Sequence, residues 1–357
     1  MTFAKRVDQI IATKSHAQQF SGVVLIKQAE DELFKAVYGY ANRAWKIKNH
    51  VNTRFRVASI SKMFTAVAVL QLVEVGKISL NTSVVECLGL ENTTLPKEAT
   101  VHHMLTMTSG LADWFEESGN WEDDWAALCR KYPIYLFRRN EDYLPLFIDK
   151  PPLFPVGEKH QYNGAGFILL GLVIEKITGR SYFDYVRHHI FEKAKMTASD
   201  FLSLDGVDEE MAEGYIPVTD KDDKLIAWKK NIYSTTPEAA ADGGATSTAE
   251  DLCRFSGALR EDKLLSPDWT QEMLTPKVLE RLERLRGYTS KYGYGNFFLL
   301  DDSEHIVRWG HTGEEDGVSC RFYHYPKQNL DLVILGNQSW CAGSLAWEIH
   351  NLILEMV

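Results

Sequence analysis

The sequence predicts an α+β fold, in which an antiparallel sheet is flanked by helices and a mostly helical domain is inserted into it. Two observations favour this class. Strand-like runs occur near both ends of the chain, and helical patterns dominate residues 81–240. Since strands at both ends need hydrogen-bonded partners, we expect them to join in one sheet.

The predicted elements follow one another along the chain. Residues 20–28 and 33–40 are β-rich runs around the polar turn Ala29–Glu32, which predicts a hairpin. A helix is expected to begin at about Ser59 to Lys62, and because its body is apolar on nearly every face, it should be buried on all sides. The other predicted elements are helices over 164–178, 181–192 and 344–356, and strands within 289–300, 305–311, 317–326 and 329–337.

This order predicts two domains. Residues 1–80 and 240–357 would form the sheet domain from both termini, and residues 81–239 would form the inserted helical domain, with a cleft between the two. An acidic, tryptophan-rich stretch, residues 113–125, interrupts the helical region. It is interpreted either as a solvated surface loop or as part of a substrate cleft.

Composition limits the partners of the protein. Its 357 residues carry a formal net charge of −10, which argues against a nucleic acid or an anionic membrane and favours a small-molecule or short-peptide substrate. No apolar stretch approaches the length of a membrane span and no signal peptide is visible, so a cytoplasmic protein is expected. The five cysteines have no Cys-x-x-Cys spacing, and no pattern indicates an oligomeric state.

The chain contains one Ser-x-x-Lys motif, Ser59-Ile60-Ser61-Lys62. At this spacing on a helix the hydroxyl and the amine share a face, and burial would disfavour the charged form of Lys62, which could then act as a base for Ser59. The alternative is structural: Ser59 caps the helix and Lys62 extends to water. The tetrapeptide alone leaves both interpretations open.

Four further segments carry a resemblance to a known family. HHMLTMTSGLADW (102–114), FPVGEKHQYNGAGFILLGLVIEKITG (154–179), ADGGATSTAEDLCRF (241–255) and GHTGEEDG (310–317) follow the Ser59 helix in the order of the class C β-lactamase, D-amino-acid peptidase and esterase family. The chain thus resembles the serine β-lactamases and penicillin-binding proteins. This resemblance implies a β-lactamase/transpeptidase-like fold and a serine hydrolase that forms an acyl-serine intermediate.

The resemblance also implies site residues. Ser59, Lys62 and Tyr162 would be catalytic, with Tyr162 as the proton acceptor and later donor. The backbone N–H groups of Ser59 and Glu314 would form the oxyanion hole. The implied substrate-binding residues are His311, Thr312, Gly313 and Asn163.

Two positions depart from the family pattern. Gly164 stands where the family has an asparagine that orients the acyl side chain. Two interpretations are open: Asn163 replaces it from the neighbouring position, or the amide contact is absent. His311 stands where dedicated β-lactamases have lysine, which favours the esterase and peptidase branches. The alternative is a penicillin-binding or sensor-type protein with weak or no turnover. No cofactor and no metal are expected, since no metal-ligand motif occurs.

Overall fold

The computed structural model describes residues 1–116 and 120–356. Its helices are α1 Phe3–His16, α2 Ser61–Glu74, α3 Val84–Leu88, α4 Val101–Leu105, α5 Trp121–Lys131, α6 Ala165–Thr178, α7 Tyr182–Val186, α8 Ala249–Arg260, α9 Pro267–Met273 and α10 Gly343–Leu354. Shorter 3₁₀ turns lie at Ala58–Ile60, Ile134–Leu136 and Asn140–Leu146, and a π-helical turn continues α7 over Arg187–Phe191.

The strands are β1 Gly22–Gln28, β2 Asp31–Tyr38, β3 Tyr40–Asn42, β4 Ile47–Lys48, β5 Phe55–Arg56, β6 Tyr215–Thr219, β7 Leu225–Lys230, β8 Thr246–Ser247, β9 Val278–Leu279, β10 Thr289–Tyr292, β11 Phe297–Leu300, β12 Ile306–Glu315, β13 Val318–Tyr325 and β14 Leu330–Gly336. Eight of them form one sheet in the order β2-β1-β14-β13-β12-β11-β10-β9. Each neighbouring pair is antiparallel. The predicted α+β class and the sheet built from both ends of the chain are therefore confirmed.

Both faces of the sheet are covered. Along β1, Val23 and Leu25 point into the larger core, whereas Val24 and Ile26 point into a second core formed with α1 and α10. This alternation follows from the two-residue period of a strand. The result is a layer of terminal helices, the sheet, and a thicker helical layer on the other face.

Helix α2 lies inside the larger core. Residues 61–70 are all buried, and the helix contacts α6, α7 and α9. A helix that is apolar on nearly every face requires such an environment, since hardly any face can be left in water. The first turn of α2 is thereby fixed beside β12 and the segment around Asp242.

Two elements were absent from the prediction. Helix α1 has a polar outer face and begins at the Thr2 cap, and the β6–β7 hairpin lies within the region predicted to be mostly helical. The division into domains at residues 80 and 240 stays a prediction. No helix in the described ranges is both long and apolar enough to cross a membrane.

Candidate active site

Ser59 lies in the 3₁₀ turn that leads into α2. The residue before it, Ala58, has a positive φ of 45°, a left-handed conformation that is costly for a residue with a Cβ. Strain of this kind persists only where the surrounding structure enforces it. Here the neighbouring strand β12 packs directly against the turn, at Gly313.

Lys62 is buried beside the Ser59 hydroxyl. Its side chain is 2% exposed, and Nζ lies 3.1 Å from Ser59 Oγ and 2.5 Å from the carbonyl oxygen of Asp242. Burial alone would lower the pKa of Lys62, but the charges of Tyr162 and Asp242 outweigh it, and the pKa is raised. The direction of the pKa shift is thus opposite to the one expected from burial alone, and the role of Lys62 as a base stays a prediction. The ammonium donates hydrogen bonds and holds positive charge at the nucleophile.

Tyr162 reaches the same cavity from the segment before α6. Lys62 Nζ lies 5.0 Å from the centre of the Tyr162 ring, which stacks on Phe297 at 6.1 Å. Tyr162 is 41% exposed and lines the cavity beside Ser59. The structure thus brings Ser59, Lys62 and Tyr162 to one cavity, as the sequence predicts.

His311 lies behind the wall of the cavity. It is fully buried, with Nδ1 2.6 Å from the Thr312 carbonyl oxygen and Nε2 3.2 Å from the Tyr292 hydroxyl. Burial, followed by the nearby charges of Lys62 and Arg321, lowers the pKa of His311 to about 3. Because both ring nitrogens are engaged and the ring is neutral, the predicted substrate contact through His311 is not supported by this geometry.

The strand that carries His311 has an open edge beside the nucleophile. The pairing of β12 with β11 ends at Gly310, so residues 311–315 lie beyond the last β11 pair. A Cβ on Gly313 would lie 2.2 Å from the carbonyl oxygen of Val57, and only glycine permits this approach. The Glu314 carboxylate is turned to Ser319 and Arg321, at 2.8 and 2.5 Å. The pairing of the Ser59 and Glu314 N–H groups as an oxyanion hole stays a prediction.

Asn163 does not take the place of the missing family asparagine. Its Nδ2 donates to the Leu111 carbonyl oxygen at 3.0 Å, and its Oδ1 accepts from Gly166 N at 2.8 Å. The side chain, 5% exposed, therefore ties the start of α6 to the preceding loop. The expected substrate contact of Asn163 is not supported, because both ends of its amide have protein partners.

The space beside Gly164 is filled by residues that the sequence analysis did not select. A Cβ on Gly164 would lie 2.6 Å from Asp242 Oδ2 and 2.7 Å from Trp114 Nε1. These two atoms are hydrogen-bonded to each other at 2.9 Å. A side chain at this position would therefore collide with the Asp242 carboxylate, and glycine is what leaves room for it.

A second carboxylate, Asp113, holds the start of α6. Its two oxygens accept from Gly164 N and Ala165 N at 2.8 and 2.9 Å, an anion at a helix N-terminus. Burial raises the pKa of Asp113 to about 6, with a further contribution from Asp242 and opposition from the backbone hydrogen bonds. Burial also raises the pKa of Asp242, against the opposing charge of Lys62. The segments LADW and ADGG contained these residues, but sequence alone did not show that their side chains meet.

The cavity that contains Ser59 has a volume of about 160 Å³ and one aromatic wall, formed by Trp114, Phe115, Trp121, Trp125 and Tyr143. Trp121 stacks on Trp125, and Trp114 meets Tyr143 edge to face. Part of the stretch 113–125 therefore lines the cleft, although residues 117–119 lie outside the described residues. Tyr233 contributes its carbonyl oxygen to Trp125 Nε1 at 2.8 Å, and its own side chain is exposed.

We searched residues 1–116 and 120–356 for clusters of metal-ligating side chains. No group of three or more His, Cys, Asp or Glu side chains is placed there to hold a metal ion. The five cysteines are free thiols.

An antiparallel sheet flanked by helices, with a Ser-x-x-Lys pair at the start of a buried helix, defines the class of β-lactamase/transpeptidase-like serine hydrolases. The chain belongs to the beta-lactamase family, whose sequence model it matches over residues 7–340.

The chain is also similar to individual proteins of known name or structure. The chain is similar to penicillin-binding protein 4* of Bacillus subtilis, with 28% identity over 94% of this chain and 72% of the relative. It is also similar to the crystal structure of a penicillin-binding protein from Bacillus halodurans, with a TM-score of 0.86 and 38% identity over 96% of this chain and 99% of the other. A D-stereospecific amidohydrolase from Streptomyces shares the fold at a TM-score of 0.78 and 23% identity, over 99% and 97% of the two chains. The family supports hydrolase activity of the serine type.

Proposed function

We propose that the protein hydrolyses an ester, a peptide-like amide or a lactam through an acyl intermediate on Ser59, with the esterase and peptidase branches favoured. The observation that carries this proposal is the 3.1 Å contact between Ser59 Oγ and Lys62 Nζ in a cavity that Tyr162 also lines. The substrate would be a small molecule or a short peptide.

The charges suggest how the proton moves. In this proposal Tyr162 reacts as a phenolate beside the ammonium of Lys62, whose Nζ lies 5.0 Å from the centre of the ring, and it accepts the Ser59 proton as Oγ attacks the carbonyl carbon. The N–H groups of Ser59 and Glu314 would bind the oxyanion, and Tyr162 would return the proton to the leaving group. Water then attacks the acyl carbon with Tyr162 again as the proton acceptor, and Tyr162 passes this proton to Ser59 Oγ as the acyl–oxygen bond breaks, which frees the acid and restores the Ser59 hydroxyl.

Efficient β-lactamase activity is not part of the proposal. A neutral, buried His311 supplies no cation for the carboxylate of a β-lactam at this position. The names of the penicillin-binding relatives, together with the altered position at Gly164, favour a second candidate: a penicillin-binding or sensor-type protein that is acylated but turns over weakly.

A substrate panel separates these functions. Purified protein would be assayed with p-nitrophenyl esters, D-alanyl dipeptides and a chromogenic cephalosporin, in the wild type and in Ser59→Ala. Ester or peptide turnover that disappears in Ser59→Ala supports the hydrolase, whereas stable labelling by penicillin without turnover supports the binding protein.

A matched serine provides the control. Ser61 lies in the same motif, but its hydroxyl is buried and committed to the Ala58 carbonyl oxygen and to Ala245 N, at 2.7 and 3.0 Å. A fluorophosphonate probe should label the wild type and a folded Ser61→Ala variant but not Ser59→Ala. Labelling of Ser59→Ala would show that the nucleophile is a different residue. Lys62→Ala should lose acylation by several orders of magnitude.

A further inference from the structure

A second cavity lies on the other side of Tyr162. It has a volume of about 360 Å³, and its lining includes Tyr162, Thr312, Phe297 and Arg308. Tyr162 borders both this cavity and the one that contains Ser59. If Tyr162 returns the proton to the departing atom, the leaving group must lie beside it, which places the leaving group at the mouth of this second cavity.

Arg308 is a buried cation with unused hydrogen-bond donors. Its side chain is 5% exposed and lies between the rings of Tyr323 and Trp347, whose centres are 4.0 and 4.3 Å from the guanidinium carbon. One hydrogen bond, from Nη1 to the Tyr325 hydroxyl at 3.3 Å, involves the guanidinium. Within residues 1–116 and 120–356, no carboxylate forms an ion pair with it. A guanidinium has five N–H donors, so most of them have no protein acceptor.

The other charges of the cavity cancel. Glu280 and Arg281 both line it, and they form an ion pair with each other at 2.5 Å. Arg308 is therefore the unbalanced charge of a cavity whose remaining lining is largely apolar, in a chain with a net charge of −10. Burial of an unpaired cation is unfavourable, and a planar guanidinium pairs best with an oxyanion such as a carboxylate.

We propose that this cavity is the leaving-group subsite, and that Arg308 binds an anionic group at the far end of an elongated, apolar leaving group. This inference rests on the proposed acyl-enzyme function. Thr312 and Arg308 are four residues apart on β12, which corresponds to about 13 Å along a strand. This is the separation of the two backbone positions; the guanidinium lies over Tyr323, which pairs with Gly310, so the anionic group lies closer to Thr312 than that but still beyond the next strand position. The leaving group that we propose is therefore elongated.

A matched pair of esters tests the proposal. Both are butyrates of para-hydroxybiphenyl, a rigid apolar body; one carries a para carboxylate at its far end and the other the neutral carboxamide. We expect the wild type to prefer the carboxylate ester in kcat/KM by about tenfold to a hundredfold, as for a hydrogen bond to a charged group. Arg308→Gln should remove this preference, so that the kcat/KM values for the two esters become equal.

Arg286 supplies the matched control. Its guanidinium lies over the same Trp347 ring, at 4.8 Å, but the residue does not line the cavity. Arg286→Gln removes the same charge and should retain the preference for the carboxylate ester. Equal kcat/KM for the two esters in the wild type, or a preference that survives Arg308→Gln, would overturn the proposal.

Binding separates this inference from the proposed function. The free hydroxybiphenyl carboxylate and carboxamide would be titrated into the Ser59→Ala protein, with tryptophan fluorescence as the readout. Tighter binding of the carboxylate supports the subsite even if no ester is hydrolysed or if Arg308→Gln fails to fold. If p-nitrophenyl butyrate is hydrolysed through Ser59 but the two biphenyl ligands bind equally, the subsite is wrong and the proposed function stands.

Discussion

Gly313→Ala is the substitution for which the structure gives the clearest magnitude. The new Cβ would lie 2.2 Å from the Val57 carbonyl oxygen, whereas ordinary contact begins at 3.4 Å. Strand β12 and the Ser59 turn must then separate by about 1 Å, which increases the distance between the two predicted oxyanion donors. Loss of one such donor costs about 2.7–4 kcal/mol, so we expect kcat to fall by about a hundredfold to a thousandfold.

The assay is hydrolysis of p-nitrophenyl butyrate, with the melting temperature measured on the same sample. Overpacking should cost about 1–3 kcal/mol of stability, which leaves the variant folded at room temperature. Gly257→Ala is the matched control, because a Cβ at this position in α8 meets nothing within 4 Å. That variant should keep its kcat and gain about 0.5–1 kcal/mol. A folded Gly313→Ala protein with wild-type kcat would refute the assignment of the oxyanion hole to this strand.

Three further predictions concern charge and space around Lys62. Asp242→Asn removes a charge that raises the pKa of Lys62, so the alkaline limb of the kcat/KM profile should move to lower pH; an unmoved limb would contradict the coupling. His311 has a pKa lowered from 6.5 to about 3, so its unfolded form binds the extra proton between these values, and the free energy of unfolding should fall as pH falls through this window. Urea unfolding at several pH values checks this, since a folded His311→Gln variant should have a shallower pH dependence. Gly164→Asn should lower the melting temperature through its contact with Asp242, and Asp242→Ala in the same chain should relieve part of the loss; additive effects would argue against the contact.

The parts of the structure that follow from local pattern could be predicted. Alternation in 20–40 and 305–337 is enough to predict the strands of the sheet, and the all-apolar body after Lys62 is enough to predict a buried helix. The contact between Ser59 and Lys62 could also be predicted, because residues three apart on a helix lie on the same face. In each case the information lies within one element.

The electrostatics of the site could not be predicted, because it depends on residues from distant segments. Lys62 meets Asp242, which lies 180 residues further along the chain. Burial alone predicts that the pKa of Lys62 is lowered. The pKa is instead raised, because of the charges of Tyr162 and Asp242, and Asp242 belongs to that distant segment. The same holds for Asn163, whose side-chain partner Leu111 belongs to another loop.

The neutral His311 and the charged Lys62 both follow from the cost of burying two neighbouring positive charges. Both side chains are buried, and the charge of Lys62 is among the causes that lower the pKa of His311. A second cation there would need its own anion, whereas the charge of Asp242 already compensates that of Lys62. The cation in contact with the nucleophile is Lys62, and the cation that we propose attracts an anionic substrate group lies further along β12, at Arg308. On this argument, the departures at Gly164 and His311 are linked: the first admits the carboxylate that keeps Lys62 charged, and the second avoids a further charge beside it.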